Sequence, residues 1–373
     1  MTGSDYAPDL HPEDAKALET YGIGADVFAD LRARVADGSL SPETNRVQGT
    51  VEPPAPGDIT TLPGRGEPDH DKAREAGLEV LRAGGVASVV LNGGMATRFG
   101  GVVKGVVEAV DGRSFLEIKL DQARRIGEEL GAEVPVAVMT SYATDSATRS
   151  FLAERGVREP LYFSQYVSLR LNADGTLFRT DDGRVSLYSP GHGDVLSAIR
   201  RSGTLDRLRA SGVRLVMVSN VDNLPARIDP AVLGMHLLGG RPMTAEVVAN
   251  EGEVGGAPAR VNGRMRLLES MQMPEGFDHS TLPVTNVNTV TFDIDALDRD
   301  FDLTWLYVQK SVGDRKAVQL ERLYHEASAF LPTTYLKVPA LGPEGRFLPI
   351  KTPQDLVDAQ PALREVLARP TLS

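Results

Sequence analysis

Cysteine is absent from the 373 residues. That excludes disulfides, thiolate zinc sites and cysteine nucleophiles together. The six histidines are scattered, without HExxH or comparable spacing, which speaks against a zinc enzyme. Positive charge is also short: 40 Lys and Arg face 51 Asp and Glu, for a net charge of −11. With no basic block to track a phosphodiester backbone, no nucleic-acid partner is expected. A phosphate bound by such a chain needs local donors and a cation. No run approaches the roughly 18 apolar residues that cross a bilayer, so no membrane partner is expected. Met1 to Leu10 holds two aspartates and no basic residue, unlike a secretory leader, and a cytoplasmic setting is expected. Internal repeats and low-complexity segments are missing as well.

What is present is ordinary for a globular protein: 41% apolar and 24% charged residues. A chain of this length usually divides. The expected pieces are a helical extension and linker (1–68), a large catalytic domain (69–330) and a C-terminal segment completing the site (331–373). Pro12 to Tyr21 and Ala25 to Asp37 read as helices, and the Pro- and Gly-rich stretch Val51 to Pro68 reads as a boundary. His70 to Ala83, Phe115 to Leu130, Thr144 to Arg155 and Val195 to Ser211 have helical spacing. Val86 to Leu91, Val134 to Met139, Leu161 to Phe163 and Arg214 to Ser219 are short apolar runs. Unalternated strands separated by helices predict a doubly wound, Rossmann-like α/β sheet covered on both faces. Farther on, Met243 to Asn250, Ala257 to Val261, Met265 to Glu269 and Thr289 to Ile294 read as strands, with a turn at Asn262-Gly263. They are expected to make the sheet mixed and to build a substrate-side lobe. Leu306 to Ala329 reads as helix, and Arg346 to Leu367 as a short strand followed by a closing helix.

Three segments carry chemistry. Residues 89–105 (VVLNGGMATRFGGVVKG) follow a strand, where ligands of open α/β sheets sit. Gly93 and Gly94 allow the backbone to approach an anion, and Thr97, Arg98 and Lys104 supply donors. The alternative is a plain strand-to-helix turn, and the loop fits neither GxGxxG nor GxxxxGK[ST]. Residues 189–194 (SPGHGD) open a helix that Asp194 is placed to cap, with His192 in reach of a phosphate or sugar hydroxyl. Residues 216–225 (VMVSNVDNLP) put Asn220, Asp222 and Asn223 directly after a buried strand. A carboxylate there suits Mg²⁺ held against a substrate phosphate, an Asx-turn being the structural alternative. Glu246 in a strand, the amides of Thr285 to Thr289 and Lys351 after Phe347 are weaker candidates.

Taken together these segments resemble the UDP-glucose pyrophosphorylase (UTP–glucose-1-phosphate uridylyltransferase) family. The resemblance is ordered and runs from about residue 86 to 356. It comprises Leu91 to Gly94 (LNGG), Met139 to Thr148 (MTSYATDSAT), Phe163 to Gln165 (FSQ), Pro190 to Asp194 (PGHGD), Ser219 to Leu224 (SNVDNL), Asn286 to Asn288 (NVN) and Arg346 to Leu356 (RFLPIKTPQDL). It implies that Leu91, Asn92, Gly93, Gly94 and Arg98 hold the nucleotide, with Gln165 on the base edge. Gly191 and His192 would line the nucleotide and sugar-phosphate junction, and Asn220 would contact the sugar-nucleotide. Glu246, Gly256, Asn286 and Asn288 would bind the sugar or its surroundings. Asp222 would hold Mg²⁺, and Lys104 and Lys351 would neutralise phosphate charge. The loop departs from the family pattern: Ala96 replaces a glycine, Val103 stands where proline precedes the lysine, and one residue is missing. Without the β-helical C-terminal domain of eukaryotic members, their assembly modes are not expected to transfer.

The implied reaction joins a nucleoside triphosphate, UTP by default, to a sugar 1-phosphate, glucose 1-phosphate by default, releasing pyrophosphate. Both partners are anions, so alignment and charge neutralisation supply the rate and no covalent nucleophile is needed. The same chemistry with GTP or ATP, or with another sugar or cyclitol phosphate, is the nearest alternative. A non-catalytic nucleotide-sugar binder is the second, and a dinucleotide oxidoreductase, lacking the spaced glycines, the third.

Overall fold

A computed structural model describes residues 5–96, 99–252 and 254–372. Its centre is an eight-stranded sheet. In chain order the strands are β1 (Ile59–Thr61), β2 (Val86–Leu91), β3 (Val136–Thr140), β4 (Leu161–Ser164), β5 (Leu215–Asn220), β6 (Met243–Ala249), β7 (Val284–Asp293) and β8 (Thr333–Lys337). Across the sheet they run β1-β8-β6-β7-β5-β2-β3-β4. All are parallel except β7, which is antiparallel to both β5 and β6. Every side chain of β2 is buried. This is why the run VASVVL shows no alternation: helices cover both of its faces.

The helices are α1 (Pro12–Tyr21), α2 (Ala25–Ala36), α3 (Pro68–Arg82), α4 (Phe115–Leu130), α5 (Asp145–Glu154), α6 (Val195–Arg201), α7 (Thr204–Ala210), α8 (Pro230–Gly239), α9 (Pro353–Asp358) and α10 (Gln360–Ala368). Local chemistry fixes their ends. Ser114 and Glu117 form a capping box at the start of α4, and Gly131 closes it in the left-handed conformation. The Asp229 carboxylate accepts from the Ala231 and Val232 N–H groups to start α8. Helices α3 and α8 pack at backbone contact, because a Cβ on Gly77 would lie 1.9 Å from the Pro230 carbonyl oxygen and one on Gly234 1.7 Å from that of Ala73. No helix among the described residues is long and apolar enough to cross a membrane.

Several expectations are corrected. Val195 to Ser211 is two helices, because Gly203 breaks the run at φ 71°. Leu306 to Ala329 is not a helix. It forms a β-hairpin, Leu306–Val312 with Arg315–Glu321, followed by a 3₁₀ turn at Tyr324–Ala329. The chain reverses at Gly313-Asp314, with Gly313 at φ 57°, and a two-residue turn of that kind aligns two strands. No strand opens the Arg346 to Leu367 stretch; Arg346 and Phe347 return their N–H groups to Pro339 and Ala340. The hairpin packs Tyr307, Val318 and Leu320 on Leu18, Phe28, Leu31 and Val35 of α1 and α2. Ala257–Val261 and Arg264–Leu268 pair across the expected Asn262-Gly263 turn and take Val51–Glu52 as a third strand. The central sheet therefore draws β1 from residues 1–68 and β8 from residues 331–373.

Candidate active site

The carboxyl ends of β2 and β5 lie side by side, with Leu91 paired to Asn220. Beyond β2 the chain enters the glycine turn. Asn92 is 1% exposed, and its amide is spent within the protein. Its Nδ2 donates to Thr148 Oγ1 at 3.0 Å and its Oδ1 accepts from the Gly105 N–H at 3.0 Å. Its carbonyl accepts from Thr144 Oγ1. Expected to hold the nucleotide, the Asn92 side chain instead fixes the loop that would do so.

Gln165, following β4, lies across Gly93. A Cβ on Gly93 would meet Gln165 Oε1 at 1.7 Å, so any side chain there would displace that amide. Gln165 Nε2 donates to the Gly191 carbonyl at 2.6 Å, which joins the glycine turn to the PGHGD segment. Gly94 is exposed and open above. Met95–Ala96 pairs with Val102–Val103 to close the loop. Arg98, an expected nucleotide contact, and Thr97 lie outside the described residues.

Gly191 sits at φ 95° against the Arg322 carbonyl, and Arg322 returns its N–H to Pro190. Asp194 does not cap the following helix. Fully buried, it pairs with Arg322 at 2.6 Å and accepts from the Tyr166 N–H. His192 is partly open but crowded by the Tyr324 and His325 rings, at centroid distances of 5.1 and 5.9 Å. Burial pushes its imidazole down to about 4, and Nδ1 accepts from the Tyr324 N–H. It is thus a neutral ring whose Nε2–H points elsewhere.

Asp222 follows β5, and Lys104 Nζ stands 3.4 Å from its Oδ2. The same ammonium lies 4.7 Å from the Phe99 ring centroid and donates to the Ile350 carbonyl. Lys351, the next residue, is exposed. Asn223 anchors that segment: its Nδ2 donates to the Arg346 carbonyl and its Oδ1 accepts from the Leu348 N–H. No group of three His, Asp or Glu residues able to hold a metal occurs among the described residues. A lone carboxylate at a strand end still fits Mg²⁺, which commonly takes one or two carboxylates and completes its shell with phosphate and water oxygens.

Glu246, expected on the sugar, is 1% exposed. Arg346 forks onto it at 2.5 and 2.7 Å and also donates to the Arg227 carbonyl. Burial works against that guanidinium, and Glu246 more than offsets it. The carboxylate is consumed by this pair because β6 is an interior strand and Glu246 is buried on it. Opposite Glu246 the ladder slips between Ala245 and Val247. The slip gives room for Asn288 at φ 52°, a left-handed conformation asparagine tolerates. Asn286 Nδ2 donates to Asn288 Oδ1, the Asn288 N–H returns to Asn286 Oδ1, and Tyr324 Oη donates to the Asn288 carbonyl. Gly256 accepts the Asn286 N–H, and a Cβ on it would crowd Glu269.

The sequence profile of the UTP–glucose-1-phosphate uridylyltransferase family matches residues 51–367. The chain belongs to this family. A uridylyltransferase of that name from Encephalitozoon cuniculi is 28% identical over 297 residues, covering 76% of this chain and 59% of that one. One from Solanum tuberosum is 30% identical over 289 residues, covering 72% and 60%. The chain thus spans about 60% of the length of these relatives. Two solved Trypanosoma brucei structures share the fold. A UDP-glucose phosphorylase has a TM-score of 0.74 at 23% identity, over 91% of this chain and 77% of that one. A UDP-N-acetylglucosamine pyrophosphorylase has 0.77 at 19%, over 95% and 80%.

Family motifs did not reveal every polar group here. Glu269 is raised by burial, and its Oε1 lies 3.5 Å from the fully buried His325 Nε2, which has no hydrogen-bond partner. Arg346 was part of a motif without a role. Lys119 was hidden in α4; its signal was a lysine among Phe115, Leu116, Ile118, Ala123 and Ile126, all buried.

Proposed function

We propose that this chain transfers a uridylyl group from UTP to a sugar 1-phosphate, glucose 1-phosphate first, and releases pyrophosphate. The observation that carries the reading is the meeting of the Gly93–Gln165 contact with the Lys104–Asp222 pair at adjacent strand ends. On this reading the backbone of Leu91, Gly93 and Gly94 follows the nucleotide. Gln165 keeps one amide N–H for a base carbonyl after donating to Gly191. Neutral His192 offers Nε2–H to a phosphate or sugar oxygen, and Asn220 contacts the sugar-nucleotide. Asn286 and Asn288, held on the strand slip, face the sugar hydroxyls beside Gly256. Lys104 and Lys351 oppose the charge of the triphosphate, lowering the repulsion between two anionic substrates. Asp222 would hold Mg²⁺, which when bound offsets negative charge on the phosphoryl oxygens.

A pyrophosphate-release panel tests this, with four nucleoside triphosphates against several sugar and cyclitol phosphates, with and without chelator. UTP with glucose 1-phosphate should give the highest kcat/KM, and chelation should abolish release until Mg²⁺ is restored. Release from a different pair would move the base or sugar. UDP-sugar binding without exchange of labelled pyrophosphate would make the chain a binder and end the transferase reading.

A further inference from the structure

Lys119 is a buried charged group that the proposed reaction leaves unused. It lies on the buried face of α4, 5% exposed, and makes no ion pair among the described residues. Its ammonium donates to Ser219 Oγ at 3.3 Å and to the Ala226 carbonyl. Those atoms stand at the two ends of one turn. β5 stops at Asn220, the chain crosses Val221 to Pro225, and Ala226 leads back toward α8. Between them sits Asp222.

The rest of α4 acts on the same turn. Gln122, one helical turn on, donates Nε2 to the Leu224 carbonyl at 3.3 Å. From the opposite side the Val221 N–H donates to the Leu91 carbonyl. A methionine would fill the space of Lys119 without desolvating a charge, but would remove the donor that ties Ser219 to Ala226. Burial and the nearby Arg346 push the Lys119 ammonium down to about 7, with Asp222 and Glu246 acting in the opposite sense. A lysine carried at that cost is explained by the N–H bonds an alkyl chain cannot make.

We propose that Lys119 is a positioning residue: it straps both ends of the Ser219–Ala226 turn and so holds the Asp222 carboxylate where the reaction needs it. The role of Asp222 rests on the uridylyltransferase reading, but the strap does not.

Amide hydrogen exchange on the full chain tests the strap without any turnover. In Lys119→Met, peptides spanning 219–226 should exchange about tenfold faster while β2 and the rest of α4 stay protected. Ser219→Ala, a smaller change, should give a weaker acceleration confined to the same peptides. Unchanged exchange at 219–226, or acceleration spread evenly over the chain, would overturn the strap. Kinetics then test its purpose. Lys119→Met should lower kcat about tenfold with KM shifted by less than about threefold, and should add less than about threefold to the loss in Asp222→Asn. Multiplicative losses in the double variant would show that Lys119 does not act through Asp222. If wild type shows no turnover with any substrate pair, the transferase reading fails while the exchange result still decides the strap.

Discussion

Lys104 Nζ lies 3.4 Å from Asp222 Oδ2 while the same ammonium donates to the Ile350 carbonyl. One cation thus joins the exit of the glycine loop, the end of β5 and the C-terminal segment that carries Lys351. Partly exposed ion pairs of this kind contribute little to stability. Their removal is therefore expected to cost activity more than fold.

Asp222→Asn, by weakening the proposed hold on Mg²⁺, and Lys351→Ala, by removing a cation that opposes transition-state charge, should each lower kcat by roughly 100-fold or more. Both should melt within a few degrees of wild type, since Lys351 is exposed and Asp222 partly so. Turnover near the wild-type rate in either variant would remove that residue from the site.

Gly93→Ala places a methyl 1.7 Å from Gln165 Oε1. Gln165 must then leave Gly93, and its hydrogen bond to Gly191 goes with it. The KM for the triphosphate should rise about tenfold, roughly 1.4 kcal/mol of lost binding, with the far-ultraviolet circular dichroism unchanged. An unaltered KM would mean that Gln165 has no part in nucleotide binding.

Glu246→Gln leaves the buried Arg346 with a neutral amide in place of its bidentate partner and only the more distant Asp229 carboxylate, 3.7 Å away, as a charged one. Breaking a buried pair by removing one charge costs roughly 3–5 kcal/mol, so a lowered urea midpoint is expected rather than a selective rise in sugar-phosphate KM. The opposite pattern, a normal midpoint and a raised KM, would return Glu246 to the sugar.

Lys119 gives a pH signature. Its ammonium titrates near 7 in the fold against 10.5 for an ordinary lysine. Between those values the unfolded chain holds the proton and the native chain does not, so stability rises with pH across the window. Arg346, Asp222 and Glu246 face Lys119 and are common to wild type and Lys119→Met. The urea midpoint of wild type relative to the variant should therefore climb from about pH 7 toward 10 and stay level below about 6. A flat difference would show that Lys119 keeps its ordinary affinity for protons.

Much of the framework was legible because it is local. The unbroken VASVVL run, the helical spacing of Phe115 to Leu130 and the Asn262-Gly263 turn act over a few residues, and each element appears where its pattern places it. The ordered motifs likewise marked Gly93, Gln165, Gly191 and Asp222. Leu306 to Ala329 carries a helical pattern, yet Gly313-Asp314 reverses the chain within it and turns 306–321 into a hairpin. What only the tertiary structure decided is how each polar group is spent. Asn92, Asp194 and Glu246 have the composition of ligands, yet each is consumed by a partner 50 to 130 residues away: Thr148, Arg322 and Arg346. Lys119 reads as a surface charge until α4 packs against the turn after β5. A sequence states which hydrogen bonds a side chain can make; burial decides which it must make with the protein and which it keeps for a substrate.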